Sequence, residues 1–498
     1  TAAEHLERAI LLHQRGWHDR AEEHYRQCLA LEPDNDRALR LRGIVARDRR
    51  AVDQSVEYLE HAAQLAPDDP EPLSERALTE LSAGRLDAAE RSLRRALERD
   101  PESPKALANL GALLQHRGYL KESLAAYRQV LAADPDDLEI RCNLVNALVE
   151  AGDPALALAE LDSADELVPG HPMLLAARGA VLCGAEDYAA AIPALEQALA
   201  IVPDDDMALT NLGYAHLRRS ELNAAALAYD RAAHCNPGNA RAAADLVNVL
   251  CRLERYDEAL HGAETFLRRF PGERMMLAAQ AWALADAGRP DQAAALLDYD
   301  RLVSIVDIDT PPDYPDIETF NRALADVVTV DPSLQANPVS KATLGGSQTG
   351  ELRLDDQPVL ADFAAIIDAA VASVTADWSA ALPGHPACTF GTPHWTLRCW
   401  GTVLPAGGRQ VPHLHPLAWV SGVYYAALPE PGEDAHAGWL EFGAPPDRYR
   451  VASPPAPRLV EPRVGRLVIF PSYFFHRTLP FESEGRRISL AFDAVPVR

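Results

Sequence analysis

The stretch from Val411 to Tyr425 reads Val-Pro-His-Leu-His-Pro-Leu-Ala-Trp-Val-Ser-Gly-Val-Tyr-Tyr and decides the fold of the C-terminal part of the chain. His413 and His415 are two positions apart, so on an extended strand both side chains point to the same face. A third histidine, His476, follows in a distant segment, Phe-Pro-Ser-Tyr-Phe-Phe-His. Imidazoles from two separate segments predict a metal site with these three histidines as ligands.

A cation follows on the next predicted strand, where residues 486–492 read Arg-Arg-Ile-Ser-Leu-Ala-Phe. Alternation along the strand turns Arg486 outward, so Arg487 faces the site and Ser489 shares its face. A guanidinium offers a planar carboxylate two parallel hydrogen bonds. Together, the histidines and Arg487 suit an open iron site that also holds an acidic co-substrate.

The overall composition limits the classes of function. A chain of 498 residues is too long for one ordinary core, so at least two domains are expected. The formal net charge of −26 argues against nucleic acid or an anionic membrane as a partner. No apolar run approaches the ~20 residues of a membrane helix. Seven scattered cysteines without a Cys-x-x-Cys pair indicate a reducing compartment, so a cytoplasmic location is expected.

The first three hundred residues repeat with a strict period of 34. The repeat is marked by Pro33, Pro67, Pro101, Pro135, Pro169, Pro203, Pro237 and Pro271. Twelve residues before each proline lies a small residue, and in most repeats a large one lies eight before it. This pattern resembles tetratricopeptide repeats, in which two antiparallel helices cross closely and proline ends the second. With a ninth repeat from Arg274 to Tyr299, the sequence predicts an all-α superhelix over residues 1–297.

One register of the repeats carries polar residues. Asn109, Asn143 and Asn211 occupy it in repeats four, five and seven, Asp245 in repeat eight, and Ala177 in repeat six. The pattern resembles the asparagine ladder in the repeats of O-linked N-acetylglucosamine transferase, whose concave amides hydrogen-bond a peptide backbone. A primary amide both donates and accepts, as a peptide unit does. The resemblance implies peptide binding by these residues; the alternative is that they cap or tie neighbouring helices.

The helical period ends near Leu302 and a different pattern begins. Residues 298–386 are predicted as a lead-in with helices at Ile317–Val328 and Val359–Trp378 around an ordered loop at 331–357. Residues 387–498 change to a period of two with frequent Gly and Pro, which is typical of strands. The predicted strands are His394–Val403, Val420–Leu428, Gly438–Phe442, Arg466–Phe470 and Arg487–Phe492.

Five short motifs occur in order in this second half. They are Trp400-Gly401 with Gly407-Gly408, His413-x-His415-Pro416, Ser421-Gly422-Val423-Tyr424-Tyr425, Phe470-Pro471-Ser472 and Arg487-Ile488-Ser489. Together they resemble the 2-oxoglutarate- and iron(II)-dependent oxygenases over roughly residues 298–498. The resemblance implies a mainly-β double-stranded β-helix (jelly roll) with flanking helices, and Fe(II), 2-oxoglutarate and O₂ as cofactor and co-substrates. The implied reaction couples decarboxylation of 2-oxoglutarate to hydroxylation of a substrate C–H.

The resemblance also implies roles for single residues. Arg487 and Ser489 would hold the far carboxylate of 2-oxoglutarate, and Tyr425 either donates to the same carboxylate or belongs to the core. Such oxygenases usually carry His-x-Asp or His-x-Glu on the first strand, whereas this chain carries His413-x-His415.

The His-x-His motif leaves two ligand sets open. In one, His413, His415 and His476 form a face of three imidazoles. In the other, one of the first pair lies behind the metal and a carboxylate from Glu441 or Asp434 completes the set.

These patterns predict a hydroxylase whose repeats present a peptide or protein to an iron site. Two alternatives stay open: a scaffold whose repeats recruit partners beside an inactive oxygenase fold, and a small-molecule oxygenase whose repeats serve assembly. The complete set of His413, His476 and Arg487 argues against the inactive scaffold.

Overall fold

The computed structural model describes residues 1–339, 341–389, 394–430, 432, 434–449 and 455–497. The chain divides into two compact units, Thr1–Ala147 and Leu148–Pro496. The predicted boundary between residues 297 and 298 falls inside the second unit, which contains the later helices and all the strands.

The first unit is built from paired helices. They are α1 (Ala2–Gln14), α2 (His18–Leu31), α3 (Asp36–Asp48), α4 (Val52–Leu65), α5 (Glu71–Ser82), α6 (Leu86–Arg99), α7 (Pro104–Arg117) and α8 (Leu120–Ala133), and α9 (Leu138–Glu150) begins in this unit. Even-numbered helices end two residues before a periodic proline; α8, for example, ends at Ala133 and Pro135 follows. The predicted helix-ending role of these prolines is confirmed, because proline cannot supply the next backbone donor.

The second unit begins with further helical pairs. They are α10 (Pro154–Leu167), α11 (Pro172–Gly184), α12 (Tyr188–Ile201), α13 (Asp206–Arg218), α14 (Leu222–Cys235), α15 (Ala240–Arg252), α16 (Tyr256–Arg269), α17 (Arg274–Asp286) and α18 (Pro290–Leu296). Later helices are α19 (Tyr299–Leu302), α20 (Ile317–Val330), α21 (Pro358–Ala381) and α22 (Pro386–Thr389).

Close helix crossings explain the alternation of small and large residues. A methyl group on Gly111 would lie 2.7 Å from Cε1 of Tyr127, and one on Gly213 would lie 2.7 Å from Cδ1 of Tyr229. Both tyrosines are buried. The large side chain therefore fills a space that only glycine leaves open on the facing helix.

The strands form the sheets of the predicted jelly roll. They are β1 (Ser304–Asp307), β2 (Gln335–Ala336), β3 (Thr343–Leu344), β4 (Ser347–Gln348), β5 (Trp395–Leu404), β6 (Arg409–Gln410), β7 (Val420–Ala427), β8 (Leu440–Phe442), β9 (Arg458–Val460), β10 (Arg466–Pro471), β11 (His476–Thr478) and β12 (Arg487–Pro496). A seven-stranded sheet has the order β1-β10-β7-β12-β5-β4-β2, and a three-stranded sheet has the order β11-β8-β9. A two-stranded ribbon pairs β3 with β6.

The predicted strands agree with β5, β7, β8, β10 and β12 to within two residues at most ends, although β12 continues four residues further, to Pro496. The region 331–357, predicted as a loop, contains β2, β3 and β4. Each of these strands has two residues. Segments this short show no alternation of apolar and polar positions, so pattern analysis misses them.

Helix α21 packs on the sheet face that lies opposite the candidate site. The rings of Phe363 and Tyr424 are 5.4 Å apart, and Phe363, Ile367 and Val371 are buried in the core shared with β7 and β12. By length and composition alone α21 could cross a membrane, contrary to the sequence expectation. Its buried face belongs to the sheet core, as in the core helix of a globular domain.

The last repeats hold the loops of the strand region. Arg274, on α17, donates through Nε to the carbonyl of Ala418 at 2.9 Å, and Tyr473 donates to the carbonyl of Leu296 at 2.6 Å. The ring of Trp282 lies 6.2 Å from that of Phe475. These contacts anchor the segments that directly follow His415 and precede His476.

Candidate metal centre

The three predicted histidines come together. One ligand atom from each of His413, His415 and His476 lies within 4.8 Å of the others. The ring centroids of His413 and His476 are 4.2 Å apart, and each is 5.1 Å from that of His415. His413 and His476 exchange two backbone hydrogen bonds, of 3.1 and 3.0 Å. This bridge fixes two distant segments side by side.

His413 and His415 lie between β6 and β7 rather than on the predicted regular strand. The bridge to His476 anchors His413, and the amide of His415 donates to the carbonyl of Ser472 at 2.9 Å. Backbone hydrogen bonds hold the segment at both histidines. The two side chains can therefore point the same way without a continuous ladder of hydrogen bonds between strands.

Each imidazole is oriented through Nδ1. The Nδ1 atoms of His413 and His476 lie 2.8 and 3.0 Å from the carbonyls of Val411 and Phe474. A carbonyl oxygen only accepts, so these Nδ1 atoms carry the proton and the lone pairs lie on Nε2. Nε2 of His415 is buried and has no hydrogen-bond partner among the described residues. Three Nε2 lone pairs are therefore available to a metal ion.

Burial keeps the imidazoles of His413 and His476 neutral. Desolvation, and then the neighbouring His415, lower the pKa of His413 to about 3. Desolvation, followed by His413 and His415, lowers the pKa of His476 well below its usual value. Neutral imidazole is the form that coordinates a metal ion, so ligation needs no prior loss of a proton at neutral pH.

Asp493 orients the third histidine and was missed by sequence reasoning. Its Oδ1 lies 2.8 Å from Nδ1 of His415 and accepts a 2.6 Å hydrogen bond from Ser421. A carboxylate on the far nitrogen of a metal-binding histidine fixes the ring and raises its basicity. The available signal was alternation, because Asp493 continues the face that Arg487 and Ser489 share on β12.

The structure brings neither alternative carboxylate to the histidines. Glu441 forms a salt bridge with Nε of Arg477 at 2.7 Å. Glu441 and Arg477 are paired across the two strands one position along from the pair of His476 and Phe442, so they lie on the face of the sheet opposite His476. Asp434 accepts from the backbone amide of His436 at 2.9 Å. Among the described residues, the cluster contains three histidines and no carboxylate ligand. This arrangement favours the set of three imidazoles.

Arg487 is a buried cation beside the histidines. It is 1% exposed, its Nη1 lies 3.4 Å from Oγ of Ser489, and its guanidinium carbon lies 4.9 Å from the ring centre of Tyr425. Its Nε and Nη2 atoms have no hydrogen-bond partner among the described residues. Burial lowers the pKa of Arg487, because no anion among the described residues compensates the lost hydration.

Two hydroxyl groups extend this polar patch. Ser489 pairs with Thr402 on β5 and with Tyr425 on β7, so the three side chains share one face of the sheet. The hydroxyls of Thr402 and Tyr425 are buried and have no partner among the described residues. We name Thr402, Tyr425, Arg487 and Ser489 the carboxylate cradle. Thr402 was not predicted, because its place depends on strand register.

One cavity is shared by the three histidines and Arg487. It is lined by His413, His415, His476, Arg487, Trp400, Gln410, Gly422, Val423, Leu440, Phe470 and Ala491. Trp400 stacks on His415 with centroids 5.5 Å apart and planes 20° apart, so it packs against the His415 ring. The cavity places three imidazoles and one guanidinium within a single enclosed space.

The predicted peptide ladder divides into two kinds of position. The side chains of Asn109, Asn143 and Asn211 are half-buried, and the structure gives their amides no hydrogen-bond partner among the described residues. These three amides are not used as helix caps or ties in the described part of the chain, and their role in peptide binding stays a prediction.

Asp245 differs from this prediction. It is 2% exposed and lies 3.8 Å from Nε of Arg448 and 4.0 Å from Nε of Arg241. The neighbouring Asn248 donates from its amide to the carbonyl of Arg448 at 3.0 Å. A segment of the same chain therefore occupies this position in repeat eight, and Asp245 is not open to an added peptide there.

The paired helices and the jelly roll with converging imidazoles define a helical-repeat protein joined to an oxygenase-type domain. Tetratricopeptide repeat family models match residues 6–70, 74–137, 177–240 and 245–301, and a second one matches 116–181. The model described as "Putative 2OG-Fe(II) oxygenase" matches residues 398–493. The chain belongs to the tetratricopeptide repeat family, and its C-terminal residues 398–493 are similar to the 2OG-Fe(II) oxygenase family.

Solved structures similar to this chain include other repeat proteins. A tetratricopeptide repeat protein from Parabacteroides merdae is 17% identical over 48% of this chain and 94% of its own, with a TM-score of 0.42. The Cut9-Hcn1 hetero-tetramer of the APC/C is 18% identical over 54% of this chain and 52% of its own, with a TM-score of 0.40. MamA is 19% identical over 33% of this chain and 90% of its own, with a TM-score of 0.30. Comparison with curated proteins gives no match.

Proposed function

We propose that this chain is a 2-oxoglutarate- and Fe(II)-dependent dioxygenase that hydroxylates a C–H of a peptide or protein held by its repeats. The observation that carries the proposal is that one cavity contains both a cluster of metal-binding imidazoles and a buried guanidinium. Three oriented imidazoles present free lone pairs, and the buried guanidinium of Arg487 is paired with no anion among the described residues. A divalent iron and a dicarboxylic acid would satisfy both.

The residues present fit this metal and co-substrate. His413, His415 and His476 would hold Fe(II), which, when bound, supplies the activation of O₂ that couples decarboxylation to hydroxylation. Asp493 holds the His415 ring in place, and Trp400 shields that ring from water. Three imidazole ligands add no negative charge, so carboxylates of the co-substrate would offset both charges of the ion.

The carboxylate cradle would bind the other end of the co-substrate. Arg487 would pair with the far carboxylate through Nε and Nη2, which point to no other partner in the described residues. The hydroxyls of Thr402 and Tyr425 would donate to the same oxygens. Binding would convert an uncompensated buried cation into a hydrogen-bonded ion pair.

Succinate release tests the activity without knowledge of the substrate. We expect the purified chain with Fe(II), O₂ and 2-oxoglutarate to release succinate slowly, and a chelator to stop it. Calorimetry should show that 2-oxoglutarate binds more tightly when Fe(II) is present. Absence of both signals would favour the inactive scaffold.

Asp493→Asn tests the assignment of the ligands. Loss of the carboxylate behind His415 should weaken Fe(II) binding about 10–100-fold, the usual cost of removing such a partner. An anaerobic Fe(II) titration measures this. Asp434→Asn and Glu441→Gln are matched controls and should leave the affinity unchanged. A larger loss of Fe(II) affinity in either control than in Asp493→Asn would instead identify that carboxylate as a ligand.

The double variant Asn109→Ala/Asn143→Ala tests the peptide proposal. We expect a peptide library to stimulate succinate release by the parent chain, and this stimulation to fall several-fold in the variant because backbone-binding amides are lost. Release without peptide should be unchanged. Exposed Gln129→Ala serves as the control. Equal stimulation of both proteins would refute a ladder role for these residues.

A further inference from the structure

A second group of metal-binding side chains lies in the first compact unit. His13 is in the last turn of α1, His18 is the first residue of α2, and Asp48 is the last residue of α3. One ligand atom from each lies within 4.8 Å of the others. Nε2 of His13 is 3.0 Å from Oδ2 of Asp48, and the rings of His13 and His18 are 5.6 Å apart. Three helices from two successive repeats therefore meet at this cluster.

The hydrogen bonds of the cluster are incomplete. Nδ1 of His18 is buried and has no partner among the described residues. Asp48 pairs with His13 through Oδ2, and its Oδ1 lies 3.7 Å from Nε of Arg47. A buried polar atom without a partner is destabilising unless a ligand or water satisfies it.

The remaining exposure allows an ion to enter. The side chains of His13 and Asp48 are 19% and 32% exposed. An ion could enter this site from solvent and would keep water in the coordination positions that the three side chains leave open. Such access suits a site that loads after folding.

The donor set selects the class of ion. Two imidazole nitrogens and one carboxylate oxygen suit Zn²⁺, with water in the fourth position of a tetrahedron. Bond lengths of about 2.0–2.2 Å place neighbouring ligand atoms of such a site a little over 3 Å apart, close to the observed gap between His13 and Asp48. Magnesium and calcium prefer sets made of oxygen alone.

We propose that His13, His18 and Asp48 form a zinc-class site that cross-links the first helical pair to the first helix of the second repeat. The proposal is independent of the oxygenase activity, because the site shares no residue with the jelly roll. Bound ion would restrain α1, α2 and α3 at one point and raise the stability of this part of the repeat array.

The test uses the full chain with His413, His415 and His476 replaced by alanine, so that the oxygenase cluster no longer binds metal. After chelation and dialysis against Zn²⁺, we expect one bound zinc per chain and a higher unfolding midpoint. His18→Ala and Asp48→Asn in this background should each weaken zinc binding at least tenfold. Circular dichroism confirms that each variant retains its helices; Asp48→Asn changes an exposed side chain and keeps its shape.

His5→Ala is the matched control. His5 belongs to the same helical pair and lies 3.2 Å from a ring nitrogen of His24, but it is outside the cluster. We expect this variant to bind zinc like its background. Failure of the background to bind zinc would overturn the proposal, as would equal zinc binding by the folded His18→Ala or Asp48→Asn variants.

Discussion

We expect the variant His476→Ala to lose both Fe(II) binding and succinate release. His476 is 5% exposed, and its ring is held by Phe474 so that Nε2 faces the other two imidazoles. Removal of a residue that only supports a ligand costs about 10–100-fold in affinity, so loss of the ligand itself should exceed about 100-fold. Anaerobic Fe(II) titration and assay of succinate at saturating 2-oxoglutarate measure the two losses.

His436→Ala is the control for this prediction. His436 is an exposed histidine of the same domain whose ring contacts Trp439, and its removal should leave iron binding and turnover intact. His415→Ala gives a further distinction. A loss as large as that of His476→Ala supports three imidazole ligands, whereas stoichiometric, tight iron in His415→Ala would place His415 behind the metal.

The repeats could be predicted closely because the sequence samples the same structure eight times. A single proline or glycine carries little information, but eight prolines at one spacing define where each second helix ends. The pair of Gly111 and Tyr127 recurs as Gly213 and Tyr229, so one steric requirement is visible in several copies. Contacts within each helical pair join residues close in sequence, so the residues that make them recur at the repeat period and can be recognised.

The candidate site could be predicted only where its residues lie in short motifs. The spacing of His413 and His415 and the alternation of Arg487 and Ser489 were visible along the chain. Thr402 was not, because it joins the carboxylate cradle through the pairing of β5 with β12, and register between distant strands leaves no local mark. Asp493 could have been found by extending the alternation of β12.

The burial of Asp245 depends on contacts between residues far apart in sequence. Its position follows the repeat register, but Arg448 covers it and Asn248 binds the backbone of the same segment. The sequence of repeat eight alone contains no sign of this segment. Packing of the later repeats against the jelly roll therefore overrides a role that the repeat pattern predicts.

The variant Arg487→Met should have opposite effects on binding and on stability. Loss of the guanidinium removes the hydrogen-bonded partner of a buried carboxylate, which costs about 2–5 kcal/mol, equivalent to about 30- to 5,000-fold weaker binding of 2-oxoglutarate. Without co-substrate, Arg487 is a buried cation with two nitrogens that have no partner in the described part of the chain, and methionine fills much of its volume without that cost. The free energy of unfolding of the apoprotein should therefore rise by at least about 1 kcal/mol.

Calorimetry with 2-oxoglutarate and chemical unfolding in chelator measure these two effects. Six of the seven tryptophans lie in the second compact unit, so their fluorescence reports unfolding of the part that contains Arg487. Arg486→Met is the matched control, since Arg486 is the adjacent residue and is exposed. It should change neither quantity. Weaker co-substrate binding with lower stability would show that Arg487 acts as a structural residue, whereas the opposite signs expected here require a cation that is kept for a ligand at the expense of the fold.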